Sequence, residues 1–337
     1  MGSHRRLAPS GFDRGAGAAL CALSAAAAAL GAVPAAAAPH APTRAEVDRL
    51  YEEAEKATEA YNQAGERAGL LRRQVRDSRD RVARQQQRVN DLRGTLGALA
   101  GAQYRSGGLD PSLALLFAHD PADYLDKASV LSRITAHQAG ELADLRRALR
   151  ELTQERAETS RALGELEKSR EAVVAHKRTV ERKLARARLL LRALPPAERA
   201  AYDRASRSGR DELSGLIEGP AASARAAAAL TAARSALGRP YVWGANGPSG
   251  FDCSGLMQWS YARAGVQLPR TSQEQRYAGR QIPLSEARPG DLVVYRSDAG
   301  HVAMYAGGGR VIHAPHPGAP VRYDRVDMMP ISSVTRV

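Results

Sequence analysis

From Val47 to Leu99 the chain steps by three and four residues through Val47, Leu50, Ala54, Ala57, Tyr61, Ala64, Ala68, Leu71, Val75, Val82, Val89, Leu92, Leu96 and Leu99, interrupted only by Ser78 and Gln85. A 3.5-residue repeat held this long, flanked by Arg, Asp, Glu and Gln, belongs to a helix that buries one narrow stripe against another helix. A second seam runs from Ala128 to Leu194 and is leakier, with Arg156, Arg170 and Lys177 among its members. Pro195-Pro196 stops it, since proline removes a backbone donor and clashes with the preceding turn. Between the seams, Gly107-Gly108, Pro111 and Pro121 break the repeat around an apolar patch of Leu113, Leu115, Leu116 and Phe117. Two helices of similar length joined by such a break are expected to fold back as an antiparallel coiled-coil hairpin over residues 43–195, with a broken tip at about residues 105–125. Pairing between two chains is the other arrangement.

An aromatic content of 5% in 337 residues is low for a chain that is globular throughout, which agrees with an extended helical part. Residues 1–38 carry the signs of a secretory signal peptide. His4, Arg5, Arg6 and Arg14 precede an Ala-rich run from Ala16 to Val33, and Ala35 to Ala38 follow. Ala and Gly gain little from hydrocarbon, so cleavage and export to the cell wall or medium are expected in preference to an anchor. Cleavage would leave Cys253 as the sole thiol and no internal disulfide. The net charge of +13 points to an anionic partner. Export and the absence of interleaved aromatics argue against nucleic acid and for a wall polymer, with solvated surface charge as the plain alternative.

Residues 196–220 are polar and read as a linker. Beyond them the composition changes: residues 221–337 contain no Lys, both Trp residues and closely spaced Gly and Pro turns. That is a compact α+β domain, large enough for its own core. In the stretch GFDCSGLMQWSY, Asp252 can cap a helix opening at Cys253. The helix dipole and free N–H groups there favour a thiolate. Buried cysteines are more often inert, so position alone leaves the two readings even.

Histidine placement shifts the balance. His301 and His313 bracket HVAMYAGGGRVIH, a hairpin with a glycine turn. A three-residue Gly307-Gly308-Gly309 loop pairs Ala303 with His313, so both imidazoles rise from one face as diagonal neighbours. A two-residue loop would separate them. Metal binding fits these spacings poorly, with neither C-x-x-C nor H-E-x-x-H present, and no cofactor or metal is expected.

The stretches RPYVWGANGPSGFDCSGLMQWSYARAGVQLPRTSQEQ and ARPGDLVVYRSDAGHVAMYAGGGRVIHAP resemble the NlpC/P60 cell-wall peptidases. The resemblance implies a papain-like α+β core preceded by the helical hairpin, a combination similar to actinobacterial secreted peptidoglycan endopeptidases. It implies Cys253 as nucleophile, His301 as general base, His313 as its orienting partner, Tyr241 as a donor to the oxyanion site, and Asp252 and Ser254 in the substrate-contacting wall. Ala245 stands where many relatives carry glycine. The implied reaction is cleavage of the γ-D-glutamyl–diaminopimelate bond in peptidoglycan stem peptides.

A hydrolase of this kind endangers its producer. The hairpin is therefore expected either to cover the cleft or to dock, through its apolar tip, on a membrane-embedded ABC-transporter-like division complex. A spacer is the plainer reading. Two other functions remain: a non-catalytic wall-binding scaffold that activates another hydrolase, and an amidase or transferase using the same Cys-His chemistry.

Overall fold

The computed structural model describes residues 43–105, 120–207 and 219–337. The expected signal segment, the tip patch from Leu113 to Phe117 and the second half of the expected linker lie outside the described residues. Two long helices, α1 (Arg44–Arg105) and α2 (Pro121–Ala193), run side by side. Their direction is antiparallel, because Glu53 pairs with Lys183, Arg67 with Glu165 at 3.2 Å and Arg81 with Glu155 at 3.0 Å. Asp120 caps α2 by accepting from the Asp123 N–H at 2.7 Å, with Pro121 opening the helix where its missing donor costs nothing.

On α1 the buried stripe follows the repeat: Val47, Leu50, Ala54, Ala57, Ala64, Ala68, Val75, Ser78 and Val89. On α2 the stripe is shifted by one residue in places. Ala162, Ser169 and Leu190 are buried where Leu163, Arg170 and Leu191 continue the expected seam. Small residues let the two backbones approach, and the Ser169 hydroxyl donates to the Ala64 carbonyl at 2.9 Å. The polar seam members Arg156, Arg170 and Lys177 turn outward. The segment read as linker opens with a third helix, α3 (Pro196–Arg207), whose Tyr202 packs on the base of the hairpin with Val47, Leu50 and Leu190. Among the described residues, no helix is long and apolar enough to cross a membrane.

The C-terminal part is α+β, as expected. It contains α4 (Ala224–Ser235), α5 (Cys253–Arg263), a short α6 (Ser272–Gln275), and strands β1 (Arg280–Ile282), β2 (Leu292–Tyr295), β3 (His301–Gly307), β4 (Arg310–His313), β5 (Arg322–Arg325) and β6 (Ile331–Arg336). The strands form one antiparallel sheet in the order β1-β6-β2-β3-β4-β5. Leu292, Val294, Val302, Met304 and Ile312 join the core that includes Leu230 and Ala233 of α4 and Leu256 and Met257 of α5. Val293, Tyr295, Ala303, Val311 and Val334 form a second cluster on the opposite side of the sheet.

The β3–β4 turn reaches the expected register by another route. Gly307 pairs with Arg310, so the loop is only Gly308-Gly309, both in the left-handed region. A bulge between Tyr305 and Gly307 absorbs the extra residue and pairs Met304 with Ile312. One more step places Ala303 opposite His313, and the two histidines keep a common face.

Candidate active site

Cys253 is the first residue of α5, and the Asp252 carboxylate caps that helix by accepting from the Gly255 N–H at 2.6 Å. A side chain at position 255 has no room, since a Cβ there would lie 2.2 Å from the Ala245 carbonyl oxygen. The D-C-S-G run therefore presses the start of α5 against the preceding loop and fixes where the thiol points. Tyr241 is buried in the same cluster as Cys253. Burial pushes its phenol well above the usual range, and the nearby thiol and carboxylates push the same way.

His301 and His313 meet as the shared face requires, Nε2 of the first 2.8 Å from Nδ1 of the second. The far nitrogen of His313 is 2.8 Å from the Asp324 carboxylate, which Arg322 also grips at 2.8 Å. The result is a chain of polar groups, His301 to His313 to Asp324, that fixes the His301 ring and leaves its Nδ1 facing Cys253 and Glu55. Burial lowers the His313 pKa to about 4, with Asp324 pulling the other way, so this imidazole is neutral near pH 7.

Beside the thiol lies a second polar cluster. Arg270 donates to both oxygens of Asp252, at 3.0 and 2.6 Å, and to the Ser254 hydroxyl at 2.9 Å. The Gly244 N–H adds a bond of 3.0 Å to the same carboxylate. Asp252 and Ser254 thus hold the Arg270 guanidinium beside Cys253.

Helix α1 lies in this cleft. Its Glu55 contacts the His301 Nδ1 and accepts from Arg296 at 2.7 Å. One turn later Glu59 accepts from the Ser254 hydroxyl at 2.7 Å and from the Ser272 N–H at 2.7 Å, and its Oε1 is 3.8 Å from the Cys253 Sγ. Asn62 donates to Asp252 at 3.1 Å, Tyr61 meets Trp243 edge-on, and Tyr51 stacks on His316. Cys253 is 1% exposed and His301 0%. Burial raises the Glu55 carboxyl, but His301 and Arg296 outweigh it and hold its pKa below the usual value. Glu59 goes the other way: burial, reinforced by Asp252, raises it to about 7. The thiol departs from the expectation of a helix-stabilised thiolate. Burial and then the carboxylates of Glu55, Glu59 and Asp252 push its pKa well above normal, against one N–H bond from Val302.

Several of these residues escape sequence reasoning. Arg270 and Ser272 stand in LPRTSQEQ, quoted for the resemblance but with no role read from it. Asp324 sits on β5, whose Arg322 pairs with His313, a register that only the folded sheet supplies. Tyr51, Glu55, Glu59 and Asn62 are spaced four, four and three apart, the period of a helical stripe. As polar residues on a charged helix they read as solvated surface.

A helix-borne cysteine beside a sheet-borne histidine that a second histidine holds defines the papain-like class of thiol sites. Residues 238–335 match the NlpC/P60 family, and the chain belongs to that family through this C-terminal domain. A probable endopeptidase of Corynebacterium glutamicum is 44% identical over 128 residues, which is 36% of this chain and 61% of the relative. The probable endopeptidase p60 of Listeria monocytogenes is 44% identical over 99 residues, 29% of this chain and 20% of that protein. Among solved structures, the NlpC/p60 domain of the peptidoglycan hydrolase SagA is 38% identical, with 33% of this chain and 98% of that one aligned at a TM-score of 0.32. The chain thus spans about three fifths of the first relative and a fifth of the second.

Proposed function

We propose that this protein is a secreted thiol endopeptidase of peptidoglycan stem peptides, cutting after a γ-linked D-glutamate and held shut by its own first helix. The carrying observation is the seat of the Glu59 carboxylate, held by the Ser254 hydroxyl and the Ser272 N–H, with Arg270 bonded to the same Ser254 hydroxyl. A γ-linked glutamate keeps its α-carboxylate free, and that group fits where the Glu59 carboxylate sits. Glu59 is then a stand-in for substrate.

With α1 withdrawn, two buried carboxylates leave the surroundings of Cys253, and its thiol ionises more readily. The thiolate attacks the amide carbon, and the oxyanion receives bonds from the Tyr241 hydroxyl and the Cys253 backbone N–H. His301 takes the thiol proton and delivers it to the leaving amine of the diamino acid. Water then cleaves the thioester. His313 and Asp324 hold the His301 ring and touch no substrate. The distal arm of the hairpin gives a membrane partner a lever on α1, and the basic surface favours anionic wall polymers.

One observation favours a scaffold instead: with the thiol buried, the described conformation cannot receive substrate. Digestion of purified peptidoglycan separates the two readings. The Glu55→Lys chain, in which a cation faces His301 and Arg296, is expected to release fragments ending at D-glutamate, identified by mass. Adding Cys253→Ala should abolish them. Cleavage beside the sugar would make the protein an amidase, and no cleavage by the released chain would favour the scaffold.

A further inference from the structure

Among the described residues, one group of buried side chains presents three ligand atoms that converge within 4.8 Å of one another: a carboxylate oxygen of Glu55, the Cys253 Sγ and a ring nitrogen of His301. We propose that a zinc-type divalent cation binds these three and clamps α1 into the cleft. The inference rests on the docked geometry and is independent of the endopeptidase reading.

Sulfur, imidazole nitrogen and a carboxylate oxygen form a set that zinc takes readily, with a fourth position left for water. The surroundings match what a metal site needs beyond its ligands. The other nitrogen of His301 is 2.8 Å from His313, which is held in turn by Asp324, so the ring presents Nδ1 inward. The second oxygen of Glu55 is taken by Arg296, which leaves the first against the His301 Nδ1. Glu55 also lines a cavity of about 970 Å³ between α1 and the sheet, so the site adjoins that cavity on its Glu55 side. Binding replaces the Cys253 S–H bond with a sulfur–metal bond and releases that proton to solvent.

The coupling follows from where the ligands stand. Cys253 and His301 alone would make a two-ligand site of the kind any thiol–imidazole pair offers. The third comes from a helix 246 residues away in sequence from His301, and it reaches the ion only when that helix is docked. Metal and helix therefore hold one another in place.

The test is titration of the chelator-treated full chain with zinc, and with cobalt as a spectroscopic probe. The expected result is one equivalent per chain, a thiolate-to-cobalt charge-transfer band, and slower amide exchange across residues 51–62 once zinc is added. Glu55→Gln should weaken binding at least about tenfold, since even supporting residues around a metal cost that much. Glu53→Gln, two residues away and paired with Lys183, should not. Cys253→Ala covers the case in which Glu55→Gln undocks the helix by itself: it keeps Glu55, and should lose both the band and the zinc-dependent slowing. Absence of stoichiometric binding would overturn the proposal. So would zinc held equally tightly by the Glu55→Gln chain, or a cobalt spectrum lacking the thiolate band.

Discussion

The base and the far arm of the hairpin come from one repeat and treat their side chains in opposite ways. At the base, α1 is buried on two sides: Val47, Leu50 and Ala54 face α2 and α3, while Tyr51, Glu55, Glu59 and Asn62 face the cleft. Along the arm, among the described residues, α1 and α2 have only one another. Tyr104, Tyr124, Leu125, Val130, Ile134 and Leu142 are exposed there, at 45% or more each. Charged groups are inside where the helix is docked, and large apolar groups are outside where it is not. A buried charge survives only when paired. Glu55 has His301 and Arg296, and Glu59 has a hydroxyl, an N–H and a raised pKa. The base is thus held by specific polar pairs, which one substitution can undo, whereas the arm has no such dependence.

The strongest break in this contrast is Glu55→Lys. Removing one partner of a buried pair costs about 3–5 kcal/mol, so the docked population should fall on the order of a hundredfold or more. The rate at which a thiol reagent labels Cys253 in the full chain should rise accordingly. Labelling as slow as in the wild type would mean that apolar packing, not these pairs, holds the helix.

The next effect is in pH. The Glu59 carboxyl is near 4.5 when free and at about 7 when docked, facing Asp252, Arg270, Ser254, Ser272 and Cys253. The docked form therefore holds a proton that the released form gives up. Its contribution is complete below pH 4.5 and lost as pH rises through 7, by at most about tenfold per pH unit. In chelator-treated protein, amide exchange across residues 51–62, corrected for its intrinsic base catalysis, should quicken between pH 4.5 and 7 and level off above, and Glu59→Gln should flatten that dependence. Glu55 acts oppositely, its lowered pKa removing support as pH falls through the docked value.

Tyr51→Leu should have a smaller effect. It keeps apolar bulk and loses the stack on His316, worth about 1 kcal/mol, so labelling should rise roughly fivefold. The smallest change belongs to the arm. Leu125→Ser with Ile134→Ser removes exposed side chains and should leave both labelling and thermal stability within about 0.5 kcal/mol of the wild type. A large change there would show that the arm's apolar surface is engaged after all.

Much of the architecture was legible in the sequence, because its causes are local. Period 3.5 and the Pro195-Pro196 stop delimit the helices, Asp252 caps α5, and the His301–His313 face follows from strand alternation, even though a bulge replaces the longer loop. The resemblance supplied the role of Cys253. Less legible was α2, where Ala162 and Ser169 took the inner positions from Leu163 and Arg170, since closeness of backbones outweighed hydrophobicity.

The sequence by itself determined two long seam-bearing helices, an α+β domain, a helix opening at Cys253 and two histidines on one strand face, all consequences of periodicity and near-neighbour chemistry. Only the tertiary structure decided that α1 lies in the cleft. Glu55, Glu59 and Asn62 satisfy the same helical pattern in water as in a protein interior, and nothing local distinguishes the two. Their partners His301, Ser254, Ser272 and Asp252 stand 190 to 246 residues away. A charge buried at that separation is specified by complementarity between two surfaces, and that exists only once both have folded.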